Sequence, residues 1–123
     1  MIIVDTSALV DSLTGSRKSL ATLRELIVAG ERLVVPALVM YEWLRGPRRD
    51  ADLSAQEQLL PAEDALPFTA REAAVAAEIY RTVRSPRGRG IDIAIAATAL
   101  VYSARLWTLR RADFDDIPGL VLV

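Results

Sequence analysis

Four acidic residues of this sequence lie where an ordinary surface charge is not expected. Asp5 ends an apolar run, and Asp92 precedes the longest uncharged stretch of the chain. Glu42 is the only charge in an apolar segment of eight residues, and Asp113 follows a strand-like run that ends at Leu109. Carboxylate oxygens are hard ligands, and a cluster of them suits Mg²⁺ or Mn²⁺. These residue types therefore predict metal chemistry if the fold brings them together.

Each of the four residues has a simpler interpretation when it is considered alone. Asp5 and Asp92 suit the N-terminal caps of helices, where a carboxylate accepts a backbone N–H. Glu42 suits a surface ion pair with Arg45, three residues later on a helix. Asp113 suits a solvated acidic turn. Only their joint placement would separate a metal site from four unrelated charges.

The composition narrows the chemistry further, because the chain contains neither cysteine nor histidine. Disulfides, thiolate catalysis, Ser-His-Asp triads and cysteine or histidine metal sites are thereby excluded. Any acid–base or metal chemistry must use carboxylates, hydroxyls and arginines.

The chain's 123 residues fit one domain, 1–123, and 52% hydrophobic residues are enough for a substantial core. No basic region precedes the N-terminal apolar run, so we expect no signal peptide. The longest uncharged stretch, 93–104, is shorter than a membrane span. We therefore expect a cytoplasmic protein without a membrane association.

Charge is distributed unevenly along the chain. Residues 50–78 carry seven acids and one base, whereas residues 81–111 carry seven arginines against the single acid Asp92. Arginine binds phosphate oxygens in pairs, which favours a nucleic-acid partner. The alternative is compositional: Lys18 is the only lysine, and codon usage alone also produces a chain rich in arginine.

Strand-like and helical patterns alternate along the chain. Apolar runs predict strands at 1–4, 33–35, 65–68, 105–109 and 120–123, the third of them away from the sheet centre because of its proline. Helical spacing predicts helices after Asp5 and over 17–29, 36–45, 48–62, 70–84 and 91–103, with a flexible basic loop at 85–90. The alternation predicts an α/β fold, a parallel sheet with helices on both faces.

In such a sheet the ends of parallel strands share one edge, where ligands bind. Asp5 and Asp113 lie at or beyond strand ends, and Glu42 and Asp92 lie in the first turns of helices. Carboxylates crowded at that edge would raise one another's pKa values unless a cation neutralised them. An acidic cluster of this kind suits metal-dependent hydrolysis of a phosphodiester.

The chain resembles the PIN domain, and most closely the VapC toxins of bacterial toxin–antitoxin pairs. The resemblance extends over essentially the whole chain, and the Asp92 motif is its most specific part. The matching segments are Val4–Leu9, Tyr41–Gly46, Asp92–Leu100, Thr108–Phe114 and Ile117–Leu120.

The resemblance implies a three-layer α/β/α sandwich with a mostly parallel five-stranded sheet, and a metal-dependent ribonuclease inhibited by an antitoxin. Carried over by position, the catalytic residues are Asp5, Glu42, Asp92 and Asp113. Asp5, Asp92 and Asp113 would hold Mg²⁺ or Mn²⁺, and Glu42 would orient the attacking water or aid a second ion. Thr6 and Thr108 match supporting hydroxyl positions.

The chain departs from the family pattern in two places. The family often has asparagine two residues after Thr108, where this chain has Arg110, and the segment before Asp92 is short and rich in glycine and arginine. Arg110 could bind RNA phosphate, or it could pair with a carboxylate and weaken the metal site. The sequence leaves both alternatives open.

The main hypothesis is thus an Mg²⁺- or Mn²⁺-dependent endoribonuclease of the VapC type. The RNA-phosphate candidates are Arg87, Arg89 and Arg110, supported by the arginines at 45, 48 and 49. A VapB-type antitoxin and a homodimer are expected from the family, with Leu38, Trp43 and Leu44 as candidates for the antitoxin surface.

The alternative is a catalytically inert PIN-like module that binds metal or RNA. A haloacid dehalogenase-type phosphotransferase fits less well, because Ser7 stands where that mechanism needs a second aspartate. A receiver-type phosphoacceptor domain lacks its lysine near the late strands.

Overall fold

The structure is a computed structural model that describes all 123 residues. It contains three strands, six α-helices and two short 3₁₀ turns, at 62–64 and 111–113. In chain order the elements are β1 (Ile2–Val4), α1 (Thr6–Leu13), α2 (Leu20–Val28), β2 (Leu33–Val34), α3 (Ala37–Arg45), α4 (Asp50–Leu59), α5 (Ala70–Thr82), α6 (Gly90–Val101) and β3 (Arg105–Trp107).

The sheet is parallel, and β1 is its central strand. The strand order is β2-β1-β3, with Ile3 opposite Val34 on one side and Leu106 on the other. All three residues of β1 are buried, as expected for a strand covered on both faces. The parallel α/β/α arrangement predicted from the sequence is therefore confirmed.

The predicted count of five strands is wrong, because the outer two strands are reduced to single bridges. Leu66 pairs with Pro36, and Leu122 pairs with Leu106, both in parallel orientation. Pro36 and Pro67 have no N–H to donate, which explains why the first of these edges does not extend into a ladder. The third predicted strand does lie at an edge, as its proline indicated.

The helices form two groups around this sheet. Helix α1 packs against α2, α3 and α4, whereas α5 and α6 pack extensively on each other and α6 also contacts β3 and α3. Every residue of α6 from Ile93 to Ala99 is buried, so this helix forms part of the core. No helix has the length and apolar character that crossing a membrane requires.

Two helices begin with capping boxes that fix where they start. The Thr69 hydroxyl accepts the Arg71 N–H while Glu72 accepts the Thr69 N–H, and Asp52 accepts the Arg49 N–H at the start of α4. The Thr69 hydroxyl also donates to Glu72, and this hydrogen bond lowers the pKa of the Glu72 carboxyl. Hydrogen bonds from the Arg49 backbone and side chain lower the pKa of the Asp52 carboxyl. The six predicted helices are all present, with ends one to three residues shorter in places because polar flanking residues form caps and turns.

Candidate metal centre

Asp5 lies at the end of β1, where the sheet edge meets the first turn of α1. Its N–H donates to the Trp107 carbonyl at 2.9 Å, which joins the ends of β1 and β3. The side chain is completely buried. It makes no capping hydrogen bond to α1, so the capping interpretation of this carboxylate is wrong.

Two hydroxyls hold one oxygen of the Asp5 carboxylate. Thr108 Oγ1 donates to Oδ2 at 2.7 Å, and Ser7 Oγ donates to the same atom at 2.9 Å. These hydroxyls in turn accept backbone N–H groups, Ser7 from Leu109 and Thr108 from Arg110, both at 3.0 Å. The chain after β3 is thereby tied to the carboxylate, and the orientation of Asp5 is set from two elements.

The other oxygen of Asp5 has no partner. Oδ1 is one of only two buried side-chain polar atoms without a hydrogen bond. A buried and unsatisfied carboxylate oxygen is costly, and native structures rarely leave one without a reason. A cation at this oxygen would supply the missing interaction.

Glu42 approaches the same region from α3, because that helix packs on α1. Thr6 Oγ1 donates to Glu42 Oε1 at 2.6 Å, so the residue after Asp5 orients the glutamate. Arg45 contacts the other oxygen at 3.3 Å, which confirms the predicted i,i+3 ion pair. Glu42 therefore has one oxygen fixed by the site and the other by a half-exposed arginine.

Asp92 and Asp113 lie on the opposite side of the site and share an arginine. Arg110 Nη2 contacts Asp92 Oδ1 at 2.8 Å, and its Nε lies 3.5 Å from Asp113 Oδ2. Asp92 is in the first turn of α6, and Asp113 is in the 3₁₀ turn after β3. Of the two functions the sequence left open for Arg110, the geometry favours pairing with carboxylates.

The electrostatics of Asp92 show that the four carboxylates are neighbours. Burial raises the pKa of Asp92, and the Arg110 guanidinium opposes this shift. The charges of Asp5, Asp113 and Glu42 raise the Asp92 pKa further. Like charges close enough to raise the pKa of Asp92 favour a cation among them.

Arg89 connects the helix that carries Asp92 to the turn that carries Asp113. Its guanidinium donates to both oxygens of Asp116, at 2.6 and 2.9 Å, and to the Asp113 carbonyl at 2.9 Å. These hydrogen bonds lower the pKa of Asp116. Because Arg89 immediately precedes α6, it connects the helix of Asp92 to the turn of Asp113.

The donor set suits a hard divalent ion, since it consists of carboxylates and hydroxyls, and the unpartnered oxygen of Asp5 agrees with that. As placed, however, no three acidic side chains are grouped to hold one ion. The guanidinium of Arg110 is the cation that contacts Asp92 and Asp113. Metal ligation by all three aspartates would thus require Arg110 to move.

The remaining arginines differ in their surroundings. Arg87 is exposed and has no ion pair, whereas Arg89 and Arg110 are both held by carboxylates. Arg48 lies 4.3 Å from the ring centroid of Trp43, and Arg49 is paired with Asp52. Of the three RNA-phosphate candidates, Arg87 alone is without a protein partner.

The residues proposed for an antitoxin surface differ in their exposure to solvent. Trp43 is completely buried in the core, Leu38 is partly buried against it, and Leu44 is exposed over more than half of its surface. Trp43 is thus unavailable to a partner, because α3 turns that face inward. Leu44 and its exposed neighbour Tyr41 form the outward face of the helix.

Sequence reasoning did not identify Ser7 or Asp116. Ser7 lies two residues after Asp5 and suits a hydroxyl that turns back to a carboxylate, a local pattern that was available as a signal. Asp116 gave no such signal, because its partner Arg89 lies 27 residues away.

Comparison with known proteins agrees with this geometry. Residues 2–120 match the PIN domain family model. The chain is 36% identical over 123 residues to ribonuclease VapC19 of Mycobacterium tuberculosis, a match that covers 98% of this chain and 97% of that protein.

Solved structures with the same fold come from toxin–antitoxin complexes. One is VapBC2 from Rickettsia felis bound to a promoter DNA fragment, with a TM-score of 0.76, 19% identity and coverage of 100% and 98% of the two chains. Another is FitAcB from Neisseria gonorrhoeae, with a TM-score of 0.72, 22% identity and coverage of 100% and 97%. The family match, the curated relative and the acidic sheet edge agree, and the chain belongs to the PIN domain family.

Proposed function

We propose that this protein is a divalent-metal-dependent endoribonuclease and the toxin of a VapBC-type toxin–antitoxin pair. The single observation that carries the chemistry is the buried, unpartnered Oδ1 of Asp5 at an edge where three further carboxylates are neighbours. The full-length similarity to a ribonuclease supports RNA as the substrate.

Asp5, Asp92 and Asp113 would hold the metal, and Thr6 and Thr108 would support the site through their hydroxyls. Bound Mg²⁺ or Mn²⁺ would lower the pKa of a water and neutralise charge developing on the phosphate. Glu42, oriented by Thr6, would accept a proton from the attacking water. Asp5 remains fixed by Thr108 and Ser7 throughout, so its free oxygen faces a constant position.

A second candidate function is an inert PIN-like module, and the two ion pairs of Arg110 favour it. In that case the guanidinium takes the place of the catalytic cation. Purified protein would then leave a broad RNA panel intact in Mn²⁺, and the Arg110→Asn variant would gain cleavage.

An antitoxin of the VapB type is the proposed partner, because the structural relatives are toxin–antitoxin complexes. Homodimer formation and a cytoplasmic location are proposed from the family alone. The exposed face of α3, with Tyr41 and Leu44, is the proposed antitoxin contact. Sizing of the purified protein, alone and co-expressed with a candidate VapB-type antitoxin, would test the homodimer and the antitoxin complex.

The test of the activity is a cleavage assay on total RNA with Mg²⁺ or Mn²⁺, followed by mapping of the cut ends. We expect cleavage that EDTA abolishes, and at least a roughly 10²-fold loss in Asp5→Asn, since the charge that holds the metal is removed. The circular dichroism spectrum of Asp5→Asn should match that of the wild type. Undiminished cleavage by folded Asp5→Asn, or in EDTA, would disprove the mechanism.

A further inference from the structure

A cleft of about 560 Å³ extends from Glu42 along α1. Thr6, Ser7 and Glu42 line its inner end, and the turn between α1 and α2 lines its outer end with Thr14 and Lys18. Only two of its eleven lining residues are hydrophobic, whereas sites for drug-sized apolar ligands are mostly apolar. The cleft therefore suits a polar ligand that also reaches Glu42.

Lys18 is the cation that the cleft leaves available. It is the only lysine of the chain, its side chain is exposed, and it forms no ion pair. The other cation in the cleft, Arg110, is held by Asp92 and Asp113. Asp11, the acid at the outer end, accepts the Ser19 hydroxyl at 2.6 Å and not the lysine.

The turn that presents Lys18 has a defined shape. Arg17 adopts a φ of +53°, which is uncommon for a residue with a side chain, and Gly15 supplies a φ of +59°. Thr14 holds the turn by donating to the Val10 carbonyl at 2.7 Å and accepting the Arg17 N–H at its carbonyl at 3.0 Å. Backbone conformations of this kind often accompany binding sites, and here one lies beside a cleft cation.

The length of α1 sets the separation between the two ends of the cleft. A rise of about 1.5 Å per residue places Thr14 about 10 Å along the helix axis from Ser7. A phosphate bound at Lys18 is therefore not the one at the carboxylates. Leu109, which is half exposed and lines the cleft beside Ser7, offers an apolar surface for a ribose or base.

We propose that this cleft is a binding path for single-stranded RNA, in which Lys18 binds a backbone phosphate away from the scissile one. The proposal rests on the proposed ribonuclease function and adds where the strand lies and which residue holds it. Single-stranded rather than duplex RNA is inferred because an isolated lysine and hydroxyls serve one backbone, and unpaired bases can contact Leu109.

The test measures binding of a short fluorescein-labelled single-stranded RNA of mixed sequence by anisotropy, between about 50 and 200 mM salt. All proteins carry Asp5→Asn, so that the RNA stays intact. Lys18→Gln should weaken binding several-fold at the low-salt end and reduce the slope of log K against log salt by about 0.7, the value for one phosphate contact. Lys18→Arg should keep the wild-type slope.

Arg24→Gln is the matched control, because Arg24 is an exposed cation on α2 that forms no ion pair and lies outside the cleft. An equal change of slope in Arg24→Gln and Lys18→Gln would overturn the proposal. An unchanged slope in Lys18→Gln would also overturn it. So would tighter binding of the same RNA annealed to its complement than of the single strand.

In the active protein, Lys18→Gln should raise KM several-fold and change kcat less than twofold. This separates the two proposals. If the wild type does not cleave RNA but the Lys18-dependent slope is found, the ribonuclease function fails and the binding path stands. If cleavage is metal-dependent and Lys18→Gln changes neither slope nor KM, the binding path fails alone.

Discussion

The two sides of the candidate site hold their carboxylates in different ways. Asp5 is fully buried and is fixed by the hydroxyls of Ser7 and Thr108, whose side chains are short and uncharged. Asp92 and Asp113 are held by the guanidinium of Arg110, whose side chain is half exposed.

This difference in what holds the carboxylates indicates which half of the site is preorganised. Ser7 lies in the first turn of α1 and Thr108 directly follows β3, so neither hydroxyl can move without disturbing the element that carries it. The Asp5 side is therefore preorganised. An exposed arginine on a turn can change rotamer at small cost, so the Asp92 side can exchange one cation for another. The hydroxyl-held side would position a metal, and the arginine-held side would regulate its access.

The largest expected effect comes from breaking the hydroxyl-held side with Thr108→Val. This substitution keeps the shape but removes a hydrogen bond to a buried carboxylate, which should cost about 2 kcal/mol of unfolding free energy. Loss of the supporting group should reduce cleavage about 10- to 100-fold. Urea unfolding and initial cleavage rates measure the two effects.

Thr98→Val is the control for that experiment. Thr98 is equally buried, but its hydroxyl donates only to the Ala94 carbonyl within α6. Its replacement should leave cleavage within about threefold and cost under about 1 kcal/mol of unfolding free energy. Similar losses in the two variants would mean that Asp5 does not depend on the Thr108 hydroxyl.

Arg89→Gln should loosen the opposite side by releasing Asp116 and the Asp113 carbonyl. We expect a roughly tenfold loss in Mn²⁺ affinity, because α6 and the turn of Asp113 lose the connection between them. Electron paramagnetic resonance of free Mn²⁺ measures this without requiring activity. Arg87→Gln, which removes a neighbouring exposed arginine, should leave Mn²⁺ affinity unchanged; an equal loss there would refute the positioning function of Arg89.

Arg110→Asn should have the opposite and smaller effect on the same measurement. Removal of the competing guanidinium from Asp92 and Asp113 should tighten Mn²⁺ binding several-fold, since one cation no longer has to displace another. Arg111→Asn serves as the comparison, because the Arg111 side chain contacts only the Val123 carbonyl. Weaker Mn²⁺ binding in Arg110→Asn would show that the arginine supports the site instead of competing for it.

The smallest expected effect is the contribution of the Arg89–Asp116 pair to the pH dependence of stability. Hydrogen bonds from Arg89 lower the pKa of Asp116 below its ordinary value of 3.8. As the pH falls, Asp116 is therefore protonated in the unfolded chain before it is protonated in the folded one. The ion pair contributes its full stability above about pH 3.8, and this stability is lost as the pH falls through the folded-state pKa of Asp116. The difference in Tm between the wild type and Asp116→Asn should shrink on acidification; a difference independent of pH would contradict this.

Much of the fold follows from local patterns. The buried strand β1 and the all-apolar helix α6 have signals within a few residues, and both elements form as predicted. The outer strands were overestimated because an apolar run indicates burial but does not show that a neighbour pairs along its length. Ladder length depends on the partner strand, which local periodicity does not report.

The site was predictable to a smaller extent. Residue types and the sheet-edge rule brought Asp5, Glu42, Asp92 and Asp113 together as candidates. The family resemblance added the supporting hydroxyls of Thr6 and Thr108. The contacts of Arg89 and Arg110 were not predictable, because an arginine suits a phosphate and a carboxylate equally well. Only the folded chain shows that Asp116 and Asp113 reach these guanidinium groups.

The single-bridge edges of the sheet restrict how this protein can associate. A partner that adds a strand needs a row of free N–H and C=O groups, and an edge that begins with Pro36 opposite Leu66 offers almost none. Edge-to-edge aggregation is disfavoured for the same reason. A partner at that edge would bind through side chains, where specificity depends on the residues displayed and not on the backbone that every chain shares.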